Sequence, residues 1–187
     1  AVSTYSTELE ASILARIQGT RKVDMGVGTQ LYPATVEENL AWPDGTAVSK
    51  ANEMWTDDAG SVAAAAHVNL DLFAAVQVDA AGATTGRTVS FAKVKALFIR
   101  NTSAANYIKI GGGTDGTGVA ADAWIDAVGT EGWLADDSDF IHLPAGGCLL
   151  LEFPSGVTVS NGTSHILHLG GITSTQTYEI IIIGLTA

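Results

Sequence analysis

The sequence predicts an all-β protein, an antiparallel β-sandwich or jelly-roll-like domain with an irregular N-terminal arm. The last quarter of the chain, from Phe140 to Ala187, consists of short apolar runs separated by turn dipeptides. Runs of this kind at this spacing are typical of antiparallel sandwiches and barrels. The chain has 187 residues, of which 47% are hydrophobic, and this is enough to bury a core without disulfide bonds.

Residues 8–18 fit either a helix or a strand. An apolar face that includes Leu14 suits a helix, with Gly19 as its end. Apart from Leu14, however, apolar and polar residues alternate along this segment, and a period of two is typical of a strand. Because the rest of the chain is β-like, the strand is the favoured interpretation.

Residues 19–52 are the least regular part of the sequence. Glycines and the turn signal Pro43-Asp44-Gly45 interrupt them, and only residues 35–41 resemble a short strand. A long structureless connection is unusual inside a compact domain and is usually functional. We therefore expect residues 1–52 to form an arm that lies on a neighbour, and residues 53–187 to form the sandwich.

Two strands open the predicted sandwich. Residues 53–57 form the first strand. Residues 61–72 form the second, although the four alanines at 63–66 are weak strand formers. A loop is expected to follow at residues 81–86, where glycine, alanine and threonine predominate.

Residues 89–100 are the clearest central strand, because apolar side chains occupy both of its faces. Lys93 and Lys95 are expected at the end of this strand that is nearer to solvent. Residues 106–110 are expected to form a partner strand.

A Gly- and Asp-rich excursion at residues 111–139 precedes the C-terminal strands. We expect a surface loop there, with a short helix around residues 120–128. Leu143-Pro144-Ala145-Gly146 predicts a type I turn, with Pro second and Gly fourth. Asn161-Gly162 is the strongest hairpin signal in the chain. The further strands that complete the sandwich are expected at residues 140–143, 148–153, 157–159, 165–169 and 178–183.

Composition limits the classes of partner. The chain has 9 Lys and Arg against 20 Asp and Glu, and its formal net charge of −11 repels nucleic-acid phosphates. Its apolar stretches fall short of the roughly 20 residues of a membrane span. The polar residues 1–7 do not resemble a signal peptide, so we expect a cytoplasmically made protein without a nucleic-acid or membrane partner. Cys148, the single cysteine, sits in an apolar run and is expected to be buried.

Residues Gly111 to Gly116 match the pattern G-x-G-x-x-G after a predicted strand. A dinucleotide fingerprint also requires a helix that opens at once within a βαβ unit. Here Gly118 delays any helix, and the neighbouring segments are β-like. A Gly-Lys-Ser/Thr phosphate loop does not occur in the sequence either. We therefore predict no cofactor.

Metal-binding and catalytic patterns are also weak. Six aspartates cluster within residues 111–139, but their spacing does not reproduce the 12-residue calcium loop. His165 and His168 are three residues apart and would face opposite sides of a strand. The sequence has no Gly-x-Ser-x-Gly motif to mark a nucleophile. We predict no metal and no catalytic residue, and hence a structural or binding protein; a hydrolase of an unrecognised sandwich class is the least favoured alternative.

Large apolar side chains are the best candidates for a binding surface. The four tryptophans could stack a sugar ring, but core plugs and subunit contacts are the commoner uses of tryptophan. Apolar residues in the arm also need burial, either on this chain or on another copy. The candidate interface residues are Leu31, Tyr32, Trp42, Trp124 and Trp133.

Several sequence features follow one another in a recognisable order within residues 53–187. They are Trp55-Thr56-Asp57, Leu70-Asp71-Leu72, the strand from Phe91 to Asn101, the glycine run at 111–113, Pro144-Ala145-Gly146-Gly147 with Leu149-Leu150-Leu151, Val157-Thr158-Val159 with Gly162-Thr163, and the closing run from Tyr178 to Gly184. In this order the chain resembles a family of small virion proteins of tailed bacteriophages.

The resemblance implies a non-enzymatic virion component built on a β-sandwich, such as a capsid decoration (cement) protein, a head fibre or a tail part. As a cement protein it would bind across subunits of the major capsid protein on the capsid surface. The expected partners are the major capsid protein or other virion proteins, and further copies of this chain as a trimer or a dimer. The alternative is a tail or fibre component that binds a host-surface glycan through Trp124 or Trp133.

Overall fold

The computed structural model describes residues 9, 11–24, 29–78, 84–111, 124 and 140–187. The predicted all-β, sandwich-like class is confirmed. Within the described residues the chain forms twelve β-strands, which are β1 (Ala11–Asp24), β2 (Thr29–Trp42), β3 (Glu53–Val62), β4 (His67–Asp71), β5 (Ala75–Val78), β6 (Thr84–Val89), β7 (Phe91–Asn101), β8 (Ile108–Gly111), β9 (Phe140–Leu143), β10 (Cys148–Thr158), β11 (Ile166–Gly170) and β12 (Gln176–Thr186).

Eight of these strands build two antiparallel four-stranded sheets. Sheet 1 has the order β10-β7-β12-β3, and sheet 2 has the order β4-β11-β8-β9. The pairing is nested, because β3 pairs with β12, β4 with β11, β7 with β10 and β8 with β9. Successive pairs alternate between the two sheets, as in a doubled-back ribbon that has been rolled up. This is the topology of an eight-stranded jelly roll.

The main core lies between the two sheets. Alternate residues of each strand face it, so that Leu97 of β7, Ile180 of β12 and Leu167 of β11 are all buried there. Trp55 of β3 belongs to the same core, and its indole Nε1 donates a hydrogen bond of 3.0 Å to the carbonyl of Val76. This bond ties the β5–β6 hairpin to sheet 1.

Most predicted strands of the body are present, with shifted boundaries. β3 continues through Gly60, where the ring of Tyr178 on β12 occupies the position that a Cβ atom would take. The segment 63–66 is a turn rather than part of a strand, closed by a hydrogen bond of 3.2 Å from the Ala66 N–H to the Ala63 carbonyl. The expected loop at 81–86 is wrong for residues 84–86, which begin β6.

The predicted partner strand at 106–110 exists as β8, but it does not pair with β7. It pairs instead with β11 and β9 in sheet 2. The chain crosses between the sheets just after Asn101, whose buried amide donates hydrogen bonds to the carbonyls of Asn106 at 3.1 Å and Leu143 at 3.0 Å. A short link that changes sheets has the same composition as a hairpin turn, so the sequence does not distinguish them.

Two predicted turns differ in detail. The turn after β9 begins at Pro144, one residue later than predicted, and the Gly147 N–H donates to the Pro144 carbonyl at 2.9 Å. Gly146 is its third residue and has a φ of 71°, which fits a type II turn rather than type I. The turn at Asn161-Gly162 is present, but it joins β10 of sheet 1 to β11 of sheet 2 instead of two paired strands.

The N-terminal arm is regular, so the expected irregular structure over residues 19–52 is wrong for most of that segment. β1 and β2 pair in antiparallel register, with 14 residues in each strand and Ala11 opposite Trp42. For residues 8–18 the strand, favoured over the helix, is confirmed from Ala11 onward. We use "arm" for β1 and β2 and "body" for β3 to β12. The arm is a two-stranded sheet of its own and joins neither sheet of the body, whose first strand begins at Glu53.

Most of the Gly- and Asp-rich excursion lies outside the described residues. The predicted helix around 120–128, the glycine pattern beyond Gly111 and the clustered aspartates fall there, apart from Trp124. Cys148 is described and is exposed at the start of β10, contrary to the expectation that it is buried. Its strand lies at the edge of sheet 1, where a side chain on the outer face meets solvent.

Candidate interaction surface

The base of the arm packs on the outer face of sheet 1. Trp42 at the end of β2 is 2% exposed and lies in a cluster with Ala11, Ala51, Ala96 and Ile183. Ala96 belongs to β7 and Ile183 to β12, which are the two central strands of sheet 1. This second apolar cluster lies on the side of sheet 1 away from the main core, and it holds the arm on the body.

Hydrogen bonds fix the loop that joins the arm to the body. The Gly45 N–H donates to the Ala51 carbonyl at 3.1 Å, and the Ala51 N–H donates to the Pro43 carbonyl at 3.2 Å. Asn52 then binds β12, because its side chain accepts from the Thr186 N–H at 2.9 Å and donates to Thr186 Oγ1 at 3.0 Å. The connection between arm and body is therefore structured along its length.

Lys95 fastens this loop to the body, and the expectation that it lies near solvent is wrong. Its side chain is 0% exposed, and its Nζ donates to the carbonyls of Val48 in the loop and Pro154 in β10, the latter at 2.8 Å. Burial lowers the pKa of the Lys95 ammonium from its usual value, and the charge of Lys93 lowers it further. The acceptors lie 47 and 59 residues away in the chain, so local sequence does not reveal the contact.

An open apolar groove lies beside the arm on the outer face of sheet 1. We call it the outer groove, and its volume is about 510 Å³. The register places Leu150 opposite Phe98 and Phe98 opposite Ile181, so these three residues form one row across the sheet. The residues that line the groove are Ala11, Ser12, Ile13 and Leu14 of β1 and Met54, Ala96, Phe98, Leu150, Ile181 and Ile183 of sheet 1.

The described lining of the outer groove is exposed and carries no charge. Leu14 is 62% exposed, Met54 41% and Ile181 38%, although all three are large hydrophobic side chains. Ser12 is the single polar residue among the described residues that line the groove. On a globular protein, a contiguous exposed apolar patch marks an interaction site more often than single, scattered apolar residues do.

The outer face of sheet 2 differs, because it carries histidine and aromatic rings. The rings of His67 and His168 stack with their centroids 5.0 Å apart. Further along the face, His142 contacts Tyr107 at 4.0 Å and Phe140 at 5.0 Å between ring centroids. In the described ranges no three side chains of His, Cys, Asp or Glu converge as metal ligands would. These rings contact one another in two groups, one around His168 and one around His142.

Besides Lys95, two ionisable side chains of sheet 1 have pKa values that burial shifts. Burial raises the pKa of the Asp57 carboxyl group; a hydrogen bond from the Ala59 N–H lowers it, and the charge of Asp58 raises it. Burial, and then the charge of Asp57, raise the pKa of the Tyr178 phenol. Tyr178 is therefore neutral at physiological pH and serves as a packing residue over Gly60.

Of the candidate residues predicted from sequence, Trp42 and Trp124 have described side chains, and the two lie in different apolar clusters. Trp42 is buried at the base of the arm, and Trp124 is 0% exposed in the main core. Both therefore act as core plugs, which leaves neither accessible to a partner in this conformation. Leu31 and Tyr32 belong to β2, but their side chains lie outside the described residues, as does all of Trp133.

Sequence reasoning missed the outer groove, although the sequence contains a signal for it. A strand with one buried face alternates with a period of two, whereas Leu149 to Leu151 and Ile180 to Ile183 are unbroken apolar runs. In such a run every second residue faces away from the core. Leu150 and Ile181 are the residues in that position, and both line the groove.

Among the described residues, no helix is long and apolar enough to span a membrane. No family model, no curated protein and no solved structure matches the chain.

Proposed function

We propose that the protein is a structural component of a tailed-bacteriophage virion, and specifically a capsid decoration (cement) protein. In this role it binds across subunits of the major capsid protein, associates with its own copies and performs no catalysis. The observation that carries the proposal is the arm, a paired hairpin that takes no place in either sheet of the body.

The arm is longer than the body requires. Each of its strands has 14 residues, against 11 in the longest strands of the body, so that the arm is roughly 45 Å long. A hairpin of two strands is marginally stable in water unless one of its faces packs on another surface. The second apolar cluster supplies such a surface at the base, around Trp42. Along the remainder of the arm, a neighbouring subunit would supply the packing surface. A cement protein makes such contacts with its neighbours.

The body supports the same role. An eight-stranded jelly roll is one of the folds of viral capsid domains, although a fold alone does not determine function. The formal net charge of −11 favours a basic partner surface over nucleic acid. On a shell, each modest contact is repeated many times, and linked contacts raise the overall avidity without any new contact.

The glycan-binding alternative has less support. It places a stacking platform at Trp124 or Trp133, and Trp124 is fully buried. A sugar ring requires an accessible aromatic face, which a core plug does not offer. Trp133 lies outside the described residues, so a tail or fibre component, with or without glycan binding at Trp133, is the alternative that the following experiment separates from the head location.

Cosedimentation with capsids tests the proposal. Capsids of the phage that encodes this chain, assembled without it, are mixed with increasing amounts of purified protein and pelleted. We expect saturable binding at a fixed ratio to the major capsid protein, and no further uptake by capsids that already carry the protein. Protein that stays in the supernatant but is found in isolated tails would contradict the cement role.

A further inference from the structure

Leu14 and the outer groove together form one patch that contains both a projecting apolar side chain and a place to hold one. Leu14 is 62% exposed at one side of the groove. Phe98, Leu150 and Ile181 form the row of side chains beside it. A patch with both elements is self-complementary, because each copy can insert its projection into the recess of the other.

We propose that the outer groove is the contact between two copies of this chain, related by a two-fold axis, with Leu14 of each copy in the groove of the other. A two-fold contact uses the same patch on both subunits, so residue i contacts residue j and j contacts i. The projection and the recess lie in one patch here, which is the arrangement that a two-fold contact needs. This inference rests on the self-association that forms part of the proposed function.

The lining of the outer groove is compatible with a second copy as the occupant. Each copy carries a formal charge of −11, so two copies repel one another at long range, and this repulsion is smallest where the contact itself brings no charged groups together. The outer groove satisfies this condition over residues 11–14 and sheet 1, because none of the described residues that line it is charged. The adjacent row of the same strands holds both signs, with Arg100 and Glu179 paired at 3.6 Å. A basic partner gains no ion pair from the groove itself.

The proposed contact also continues an interface that the chain already makes within itself. Ala11, Ala96 and Ile183 belong to the second apolar cluster, where the arm packs on sheet 1, and the same three residues line the groove. A second copy therefore extends an apolar surface that is already half-covered by the arm. Small-molecule sites, by contrast, combine apolar walls with several converging polar groups, and among the described residues of the groove Ser12 is the one polar side chain.

Sedimentation equilibrium of the full chain and of matched variants tests the contact. We expect the wild-type chain to dimerise. Leu14→Lys and Ile181→Lys place an ammonium group in the apolar contact, and each should raise the dissociation constant by at least about 100-fold. Val76→Lys is the control, because Val76 is also an exposed apolar residue, at 44%, and lies outside the groove. This control should dimerise like the wild type, and circular dichroism confirms that all variants are folded.

Disulfide trapping tests the two-fold geometry. In a Cys148→Ser background, one preparation carries Leu14→Cys and a second carries Ile181→Cys, so that no disulfide can form within a chain. On mixing and mild oxidation we expect Leu14→Cys chains to be joined to Ile181→Cys chains more often than random pairing gives. Random pairing would overturn the two-fold contact.

Three other results would also overturn the proposal. A wild-type chain that stays monomeric at all concentrations has no such contact. Equal weakening by Leu14→Lys and Val76→Lys would place the contact elsewhere. Dimers that appear only after removal of residues 1–8 would mean that this segment of the same chain normally covers the groove. The cement role is tested separately, because a monomeric wild type that still saturates capsids loses only the two-fold contact, and a dimer that ignores capsids loses only the cement role.

Discussion

At Asp57, burial has a consequence for stability that can be measured. Burial raises the pKa of this carboxyl group in the folded state, and the charge of Asp58 adds to the shift. A raised folded-state pKa contributes stability at low pH, and that contribution is lost as the pH rises through the folded-state pKa. At neutral pH the protein therefore holds an ionised carboxylate in a half-buried position, which is unfavourable.

Asp57→Asn should for this reason be more stable than the wild type at about pH 7, and its advantage should disappear at about pH 3. The amide oxygen of Asn can still accept the hydrogen bond from the Ala59 N–H. Urea unfolding at the two pH values measures both free energies. Asp58→Asn is the control and should give a smaller gain, since burial is the larger cause of the shift. An advantage of Asp57→Asn that is equal at both pH values would contradict this account.

The burial of Lys95 could not be predicted from the sequence. Its neighbours in the chain predict a position near solvent, yet it is buried because two distant carbonyls, of Val48 and Pro154, accept from its ammonium group. A lysine can be buried when its donors are satisfied. Whether distant acceptors exist is a property of the tertiary fold, so alternation along one strand cannot predict it.

The elements show which parts of the fold could be predicted from sequence and which could not. The alternation in residues 8–18 predicts the first part of β1, and the apolar runs predict the strands of the body. The regular arm was not predicted, because glycines and Pro33 interrupt its apolar pattern. Pro33 lies within β2, opposite Thr20. Both strands of a two-stranded sheet are edge strands, and an edge strand tolerates the missing N–H of proline.

Pro154 in the body also lies within an edge strand. The sequence predicts two separate strands around it, but β10 runs from Cys148 to Thr158 with an irregular register between Glu152 and Val157. β10 lies at the edge of sheet 1. Which strands lie at an edge depends on pairings between distant segments, and the outer groove depends on the same pairings. For this reason the sequence predicts the class of fold and the apolar runs, but not the groove that they form.

The second apolar cluster, which holds the arm on the body, is separate from the main core, so one substitution in each should have different effects. Trp42→Ala removes the largest side chain of the second apolar cluster. We expect faster amide hydrogen exchange in β1 and β2, with little change in the unfolding free energy of the body. Hydrogen exchange followed by mass spectrometry resolves peptides from the two regions.

Trp55→Ala is the matched control, because the two tryptophans are almost equally buried. Trp55 is 3% exposed in the main core, and Trp42 is 2% exposed in the second apolar cluster. This control should destabilise the body by about 3–5 kcal/mol. If Trp42→Ala lowers the unfolding free energy of the body by a similar amount, the arm and the body unfold as one cooperative unit and the separation is wrong.

At the scale of the whole molecule, two kinds of contact with opposite electrostatics are proposed. The outer groove brings together two chains that each carry −11, so long-range repulsion opposes that contact. Attachment to a basic capsid surface would instead be favoured by long-range attraction. The described groove residues are uncharged, and their contact energy comes from apolar burial. Salt should therefore act on the two contacts in opposite directions.

Raising the salt concentration from about 0.01 M to about 0.15 M shortens the Debye length from about 30 Å to about 8 Å. We expect this change to lower the dissociation constant of the dimer, because screening weakens the repulsion between the two copies. The same change should weaken the cosedimentation of the protein with undecorated capsids. Sedimentation equilibrium and the capsid assay measure the two responses in matched buffers. A dimer that dissociates as salt is added would show that opposite charges hold the copies together, and the contact would then lie outside the uncharged outer groove.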